Sequence, residues 1–169
     1  KNHKEIENIK LAHKYDGAAL TKYIFWLKKN FNKKKITELS GSKKLYDLRK
    51  KNSKFKFLSF PTISGTGPNG AIIHYNPNKK SDRRLKQGDV YLVDSGGQYK
   101  LGTTDVTRTV SLKNTNQRVK NIYTRVLKGH IAVANYKLKK NTTGAIIDKK
   151  ARKYLNQIGL DYSHGTGHG

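Results

Sequence analysis

Cysteine is missing from all 169 residues. Its absence excludes disulfides, thiolate zinc sites and thiol catalysis, and it fits a reducing compartment. No apolar run approaches the ~20 residues of a membrane-spanning helix, and no secretory leader is visible. Acidic residues are scarce, 11 Asp+Glu against 36 Lys+Arg, which leaves a net charge of +25. Such a charge suits an anionic partner. The basic residues, however, run the whole length of the chain, from Lys28-Lys29 and Lys33-Lys34-Lys35 through Lys79-Lys80 to Lys139-Lys140 and Lys149-Lys150. They form no single aromatic-interleaved patch. They read as solvated lysine faces, and no specific nucleic-acid partner is expected. Methionine is absent too, the first residue is Lys1, and His168-Gly169 stops inside a glycine–histidine pattern. The chain is therefore expected to be a fragment.

What is present is enough for one ordinary domain with a core. Hydrophobic residues make up 34%, and the 10 Tyr and 5 Phe fall inside periodic segments, so the chain is globular rather than disordered. Apolar residues at three-to-four spacing (Ile6, Ile9, Ala12 or His13, Leu20, Tyr23, Ile24, Leu27) predict a helix over 4–29. A second is predicted over 37–50, with Thr37 as N-cap and Leu39, Leu45 and Leu48 on its apolar face. The texture then turns to β. Strands are predicted from Phe55 to Phe60, Ala71 to Tyr75, Asp89 to Asp94 and Thr103 to Leu112, with a turn-rich loop through Gly65 and Gly70. In the third strand Val90, Leu92 and Asp94 share one face, and Tyr91 and Val93 the other. Helices return over 116–139 and 143–158, with Gly159 as a stop. Helices, a β-meander and helices again make an α+β chain.

Two aspartates stand out in the meander. Asp94 and Asp105 sit in runs that otherwise read as half-buried strands, although aspartate is a poor strand former. Gly96, Gly97 and Gly102 between them let the chain reverse, so the strands can pair antiparallel with both carboxylates at one end. Thr103, Thr107 and Thr109 share the face of Asp105. Two close carboxylates act as an acid–base dyad with one proton, or a cation neutralises both. Turn capping without metal is the plainer alternative, stronger for Asp94 beside Ser95-Gly96-Gly97 than for Asp105. In the tail, His164 and His168 are framed by Gly165, Thr166 and Gly167, which argue against helical chelation but allow a close backbone approach to a ligand. His74 follows an apolar run and, taken alone, reads as a packed histidine. His3, His13 and His130 read as ordinary helix residues.

Three blocks carry a specific resemblance. PNGAIIHY (68–75), VDSGGQYKLGTTDVTRT (93–109) and HGTGHG (164–169) resemble the signature blocks of the aminopeptidase P family, the Xaa-Pro aminopeptidases. AHKYDGAAL (12–20) and FPTISGTGPNG (60–70) also match, and the wording is similar to the large, multi-domain cytosolic branch. The resemblance implies a pita-bread α+β fold, here incomplete, with a curved antiparallel sheet and helices on its outer face. It makes residues 1–169 a partial catalytic domain, with N-terminal domains and glutamate-bearing C-terminal strands missing.

It also implies two divalent metal ions, most often Mn2+, with Zn2+ or Co2+ as alternatives. Asp94, Asp105 and His168 stand at metal-ligand positions, Asp105 at the bridging one. His74 and His164 stand at positions that line the substrate site and assist proton and oxyanion chemistry. The two further glutamates of the family have no counterpart here, since Glu5, Glu7 and Glu38 do not match their positions. The implied activity is release of the N-terminal residue from peptides with proline in second position, in the cytoplasm, by a protein that dimerises in many relatives. A non-catalytic pita-bread module that binds protein or nucleic acid is the alternative, or a sister hydrolase such as prolidase or methionine aminopeptidase.

Overall fold

Asn2 opens the first helix by reciprocal capping. Its side chain accepts from the Glu5 amide at 2.9 Å, while the Glu5 carboxylate accepts from the Asn2 amide at 2.8 Å. The structure, a computed structural model, describes residues 1–168. It contains two compact units, Lys1–Asn114 and Thr115 onward. Gly169, the last residue of the glycine–histidine pattern, lies outside the described residues.

In the first unit, α1 (His3–Asn30) buries Ala12, Asp16, Ala19, Leu20, Tyr23 and Leu27. His13 faces outward and bonds to the Ile9 carbonyl, so the apolar stripe runs through Ala12. The second helix, α2 (Glu38–Lys50), starts where the sequence suggests, with the Ser40 amide donating to Thr37 Oγ1. The strands are β1 (Phe55–Leu58), β2 (Ile63–Thr66), β3 (Val90–Ser95), β4 (Gly97–Tyr99), β5 (Gly102–Thr103) and β6 (Val106–Ser111). The expected antiparallel sheet is present as two three-stranded sheets, in the orders β1-β4-β5 and β2-β3-β6. Tyr91, Val93 and Val110 of the second sheet pack with Leu20, Tyr23, Leu27 and Leu45 of the helices. Each such buried leucine contributes roughly 1.5–3 kcal/mol. Helices thus cover one face of the sheet, while Val90, Leu92 and Asp94 alternate to the other.

Two elements differ from expectation. β2, which is not predicted, runs into the segment read as a loop at Gly65 and Thr66, because pairing with β3 satisfies its backbone (Ile63 opposite Asp94, Thr66 opposite Tyr91). The strand predicted over 71–75 is a turn. A 3-10 turn at Gly67–Ala71, with Pro68 in its first positions, is followed by His74 at φ 53°. Ile72 and Ile73 remain exposed while Tyr75 tucks in.

In the second unit, α3 (Gln117–Ala134) is capped by Asn116, whose side chain accepts from the Val119 amide. It ends five residues earlier than predicted, since the Asn135 amide closes the last turn on Ile131 O. It packs against α4 (Gly144–Asn156) at Gly129, where a Cβ would lie 2.1 Å from the Ala151 carbonyl oxygen. Gly159, at φ 67°, makes the predicted stop just past α4, and Leu160 N bonds back to Leu155 O. Much of the apolar face of α3 (Tyr123, Val126, Leu127, Ile131) is exposed within this unit. No described helix is long and apolar enough to cross a membrane.

Candidate metal and substrate site

β3 and β6 pair antiparallel in full register, with Asp94 opposite Thr107 and Ser95 opposite Val106. Asp94 is therefore the penultimate residue of β3, and Asp105 immediately precedes β6. The two carboxylates share one end of a hairpin, as the spacing predicts. Thr107 and Thr109 lie opposite Asp94 and Leu92, on the same face. Thr103 does not join them, because it belongs to β5 in the other sheet.

The electrostatics of the pair fit a cation. Asp94 is half-buried, and burial pushes its carboxyl above the usual carboxylate range, with the neighbouring Asp105 adding to the rise and a Thr107 hydrogen bond opposing it. Asp94 Oδ1 is buried and has no hydrogen-bond partner among the described residues. An orphaned buried carboxylate oxygen beside a second carboxylate costs free energy that a bound cation would offset. Oxygen donors of this kind suit hard or borderline divalent ions. Among the described residues no group of three or more His, Cys, Asp or Glu gathers to hold an ion.

The hairpin end is held from below. Ser95, next to Asp94, is buried and accepts from Arg49 Nη2 at 3.0 Å. Arg49 in turn grips Asp16 through Nε at 2.6 Å and Nη2 at 3.0 Å, and Tyr99 donates to the same carboxylate at 2.8 Å. Thr104, next to Asp105, is buried as well. Its hydroxyl accepts from the Gly97 amide at 2.9 Å, and its carbonyl accepts from Ser59 Oγ at 2.9 Å. The two flanking segments touch at Gly96, where a Cβ would come within 1.9 Å of the Thr104 carbonyl oxygen. Gly96→Ala must therefore part Ser95 from Thr104 and the carboxylates with them. A loss of stability of about 1–3 kcal/mol is expected by urea denaturation, the range for overpacking a tight site; an alanine variant as stable as the parent would contradict the close approach.

His74 lies on the turn that crosses the Asp94 face of the sheet. Gly65 is opposite Leu92, and a Cβ on Gly65 would meet the Asn69 backbone at 2.9 Å. The turn is anchored by Glu38, fully buried at the start of α2. Its carboxylate accepts from Thr66 N at 2.7 Å, Tyr75 OH at 2.8 Å, Arg83 N at 3.1 Å and Asn69 Nδ2. From the sequence, Glu38 enters only as a glutamate that does not match the family's ligand positions. Its helix-start position beside Thr37 did not mark it as the anchor of a distant turn.

His164 and His168 belong to the second unit and are exposed. His164 stacks on Tyr162 with ring centroids 4.7 Å apart, and its Nδ1 lies 2.7 Å from the Gly165 carbonyl oxygen. A cavity of about 480 Å3 between α3, α4 and the tail is lined by Ile122, Val126, Val133 and Leu155 together with His164 and Thr166.

Residues 7–169 match metallopeptidase family M24. The chain belongs to this family. The M24 chain is 48% identical over 171 residues to a probable Xaa-Pro aminopeptidase P of Phaeosphaeria nodorum, covering 100% of this chain and 26% of that protein. It is 49% identical over 170 residues to a protein of the same name from Laccaria bicolor, again covering 100% and 26%. Among solved structures it superposes on the X-prolyl aminopeptidase of Caenorhabditis elegans, a cytosolic enzyme with a di-nuclear active site. The TM-score is 0.92 at 40% identity, over 99% of this chain and 28% of that one. A prolidase from Pyrococcus horikoshii follows the same fold, with a TM-score of 0.80 at 26% identity over 94% of this chain and 43% of that one. The M24 chain thus has the pita-bread α+β fold, and it spans about a quarter of the length of the curated relatives it matches.

Proposed function

We propose that the protein carrying this chain is a metal-dependent aminopeptidase that releases the N-terminal residue from peptides with proline in second position. The observation that carries the reading is the Asp94–Asp105 pair, with a buried carboxylate oxygen that no described group satisfies. Relatives named Xaa-Pro aminopeptidase P at near 48% identity support the substrate class, against 26% for the prolidase. Asp94, Asp105 and His168 would hold two divalent cations, with Mn2+ favoured and Zn2+ or Co2+ compatible with the same donors. Three side chains are too few for two ions, and the resemblance implies two glutamates as the further oxygen ligands. The ions would supply Lewis acidity for amide hydrolysis.

This chain's own residues do the rest. Asp94 and Asp105 bring fixed negative charge to one hairpin end. His74 and His164 assist the proton transfers and steady the oxygen that gains charge in the transition state, an effect often worth ~3 kcal/mol per hydrogen-bond donor. The proposal includes a cytoplasmic location and a homodimer, both by resemblance.

The test is the full-length protein assayed on Xaa-Pro and Xaa-Ala peptides, before and after chelation and with Mn2+ restored. Cleavage confined to the proline series, lost on chelation and recovered with Mn2+, is the expected result. Equal turnover of both series, or activity indifferent to the chelator, would defeat the reading. Titration of Mn2+ into residues 1–169 alone should give weak binding or none; two submicromolar sites would show that no outside ligands are needed.

A further inference from the structure

The tail that carries His164 and His168 has little to stiffen it. Gly165 and Gly167 leave its backbone free, and a Cβ at either would touch nothing within 4 Å. Yet one side chain gathers the segment. Arg152, on the last turns of α4 and only 19% exposed, uses all three guanidinium nitrogens. Nε donates to Asp148 Oδ2 at 2.9 Å, Nη1 to Asp161 Oδ1 at 2.8 Å and to the Tyr162 carbonyl at 2.6 Å, and Nη2 to the His164 carbonyl at 2.8 Å. The guanidinium also lies 4.0 Å above the Tyr162 ring, and Tyr162 stacks on the His164 imidazole. Asp148 closes the ring of contacts by accepting from Thr166 Oγ1. That hydroxyl has one hydrogen to give, so the Tyr162 O–H donates to Thr166 at 2.6 Å.

The consequence reaches the imidazole itself. The Gly165 carbonyl can only accept, so the Nδ1 beside it carries a hydrogen, and Nε2 is left to face the substrate as an acceptor in the neutral ring or a donor in the imidazolium. We propose that Arg152 is a positioning residue that orders residues 161–166 and presents His164 to the substrate in one orientation. This rests on the reading of His164 as a substrate contact. Lysine cannot replace the fork, because a point charge on a flexible stem cannot grip two carboxylates and two carbonyls at fixed angles. The carboxylates agree with the geometry. The Arg152 hydrogen bond holds the Asp148 carboxyl below its usual range, and the Tyr162 amide followed by Arg152 does the same for Asp161.

The experiment uses the full-length protein and the variants Arg152→Lys, Tyr162→Leu and Lys149→Gln. Hydrogen–deuterium exchange of the peptide spanning 160–168 is read in chelated protein, and kcat and KM are read on an Xaa-Pro peptide with Mn2+. Arg152→Lys should speed exchange in that peptide and lower kcat by about 10–100-fold, the usual cost of losing an orienting partner, with KM nearly unchanged. Tyr162→Leu, which removes the stack but keeps the arginine, should lower kcat in the same sense, and it decides the matter if Arg152→Lys fails to fold. Lys149→Gln removes an exposed charge on the same helix and should change neither readout. Parental kcat in Arg152→Lys, or in Tyr162→Leu should that be the variant that folds, overturns the proposal. A parent protein without Xaa-Pro turnover defeats the functional reading instead, and the exchange data still show whether Arg152 orders the tail.

Discussion

Asp105→Asn is expected to abolish nearly all peptidase activity while making the metal-free protein less sensitive to rising pH. The first effect follows from ligand chemistry. Asparagine keeps the shape but offers no charge to a cation, so the loss should exceed the roughly 100-fold that removal of an orienting partner costs. The second follows from the pair. Burial and the Asp105 charge together raise the Asp94 carboxyl above its ordinary range. A group whose folded pKa is raised favours the fold at low pH, and that contribution fades as pH climbs through the folded value. Without the Asp105 charge the rise shrinks, so the fade from acid to neutral pH shrinks too. Peptidase assays with Mn2+ and urea midpoints in chelator at two pH values measure the two effects. Activity within tenfold of the parent would remove Asp105 from the ligand set; an unchanged pH dependence would remove it from the surroundings of Asp94.

Arg49→Ala should cost the first unit about 3–5 kcal/mol, the range for leaving one member of a buried ion pair alone. Arg49 and Asp16 are both fully buried, and their bidentate contact is the centre of a network that includes Ser95 and Tyr99. Since whole domains are stable by only about 5–15 kcal/mol, the variant should be partly unfolded near physiological temperature. The double change Arg49→Met with Asp16→Leu removes both charges and should recover much of the loss, although the Ser95 and Tyr99 hydroxyls lose partners. Urea denaturation of parent, single and double variants measures this. A shift under 1 kcal/mol for Arg49→Ala would show that water or a rearranged neighbour replaces the pair.

Both predictions mark what could and could not be read from the residue order. The aspartate hairpin was legible because strand alternation is local: Tyr91 and Val93 had to face one way and Asp94 the other, and they do. Helix starts at Thr37 and the stop at Gly159 were legible for the same reason. β2 was not, since Gly65 argues for a loop until it is seen that the Asn69 backbone occupies the space of a side chain. Ala71 to Tyr75 looked like a strand because it is apolar, yet Tyr75 is drawn inward by Glu38 from another element, and the intervening residues turn. The buried charges left a trace that periodicity could have revealed. Asp16 falls on the same helical stripe as Ala12, Ala19, Leu20 and Tyr23, and Arg49 lies four residues after Leu45. A charged residue on a core stripe asks for a partner, and each is the other's. Arg152 left no comparable sign, because the carbonyls it holds belong to a segment whose path is not set by periodicity.

The alternation of β3 makes chain length as strict a constraint there as chemistry. A single-codon deletion between Val90 and Asp94 would reverse every later side chain of the strand, driving the carboxylate into the tyrosine layer and swinging an aliphatic group out in its place. Descendants of this gene can therefore exchange residues along that strand far more freely than they can alter how many it contains.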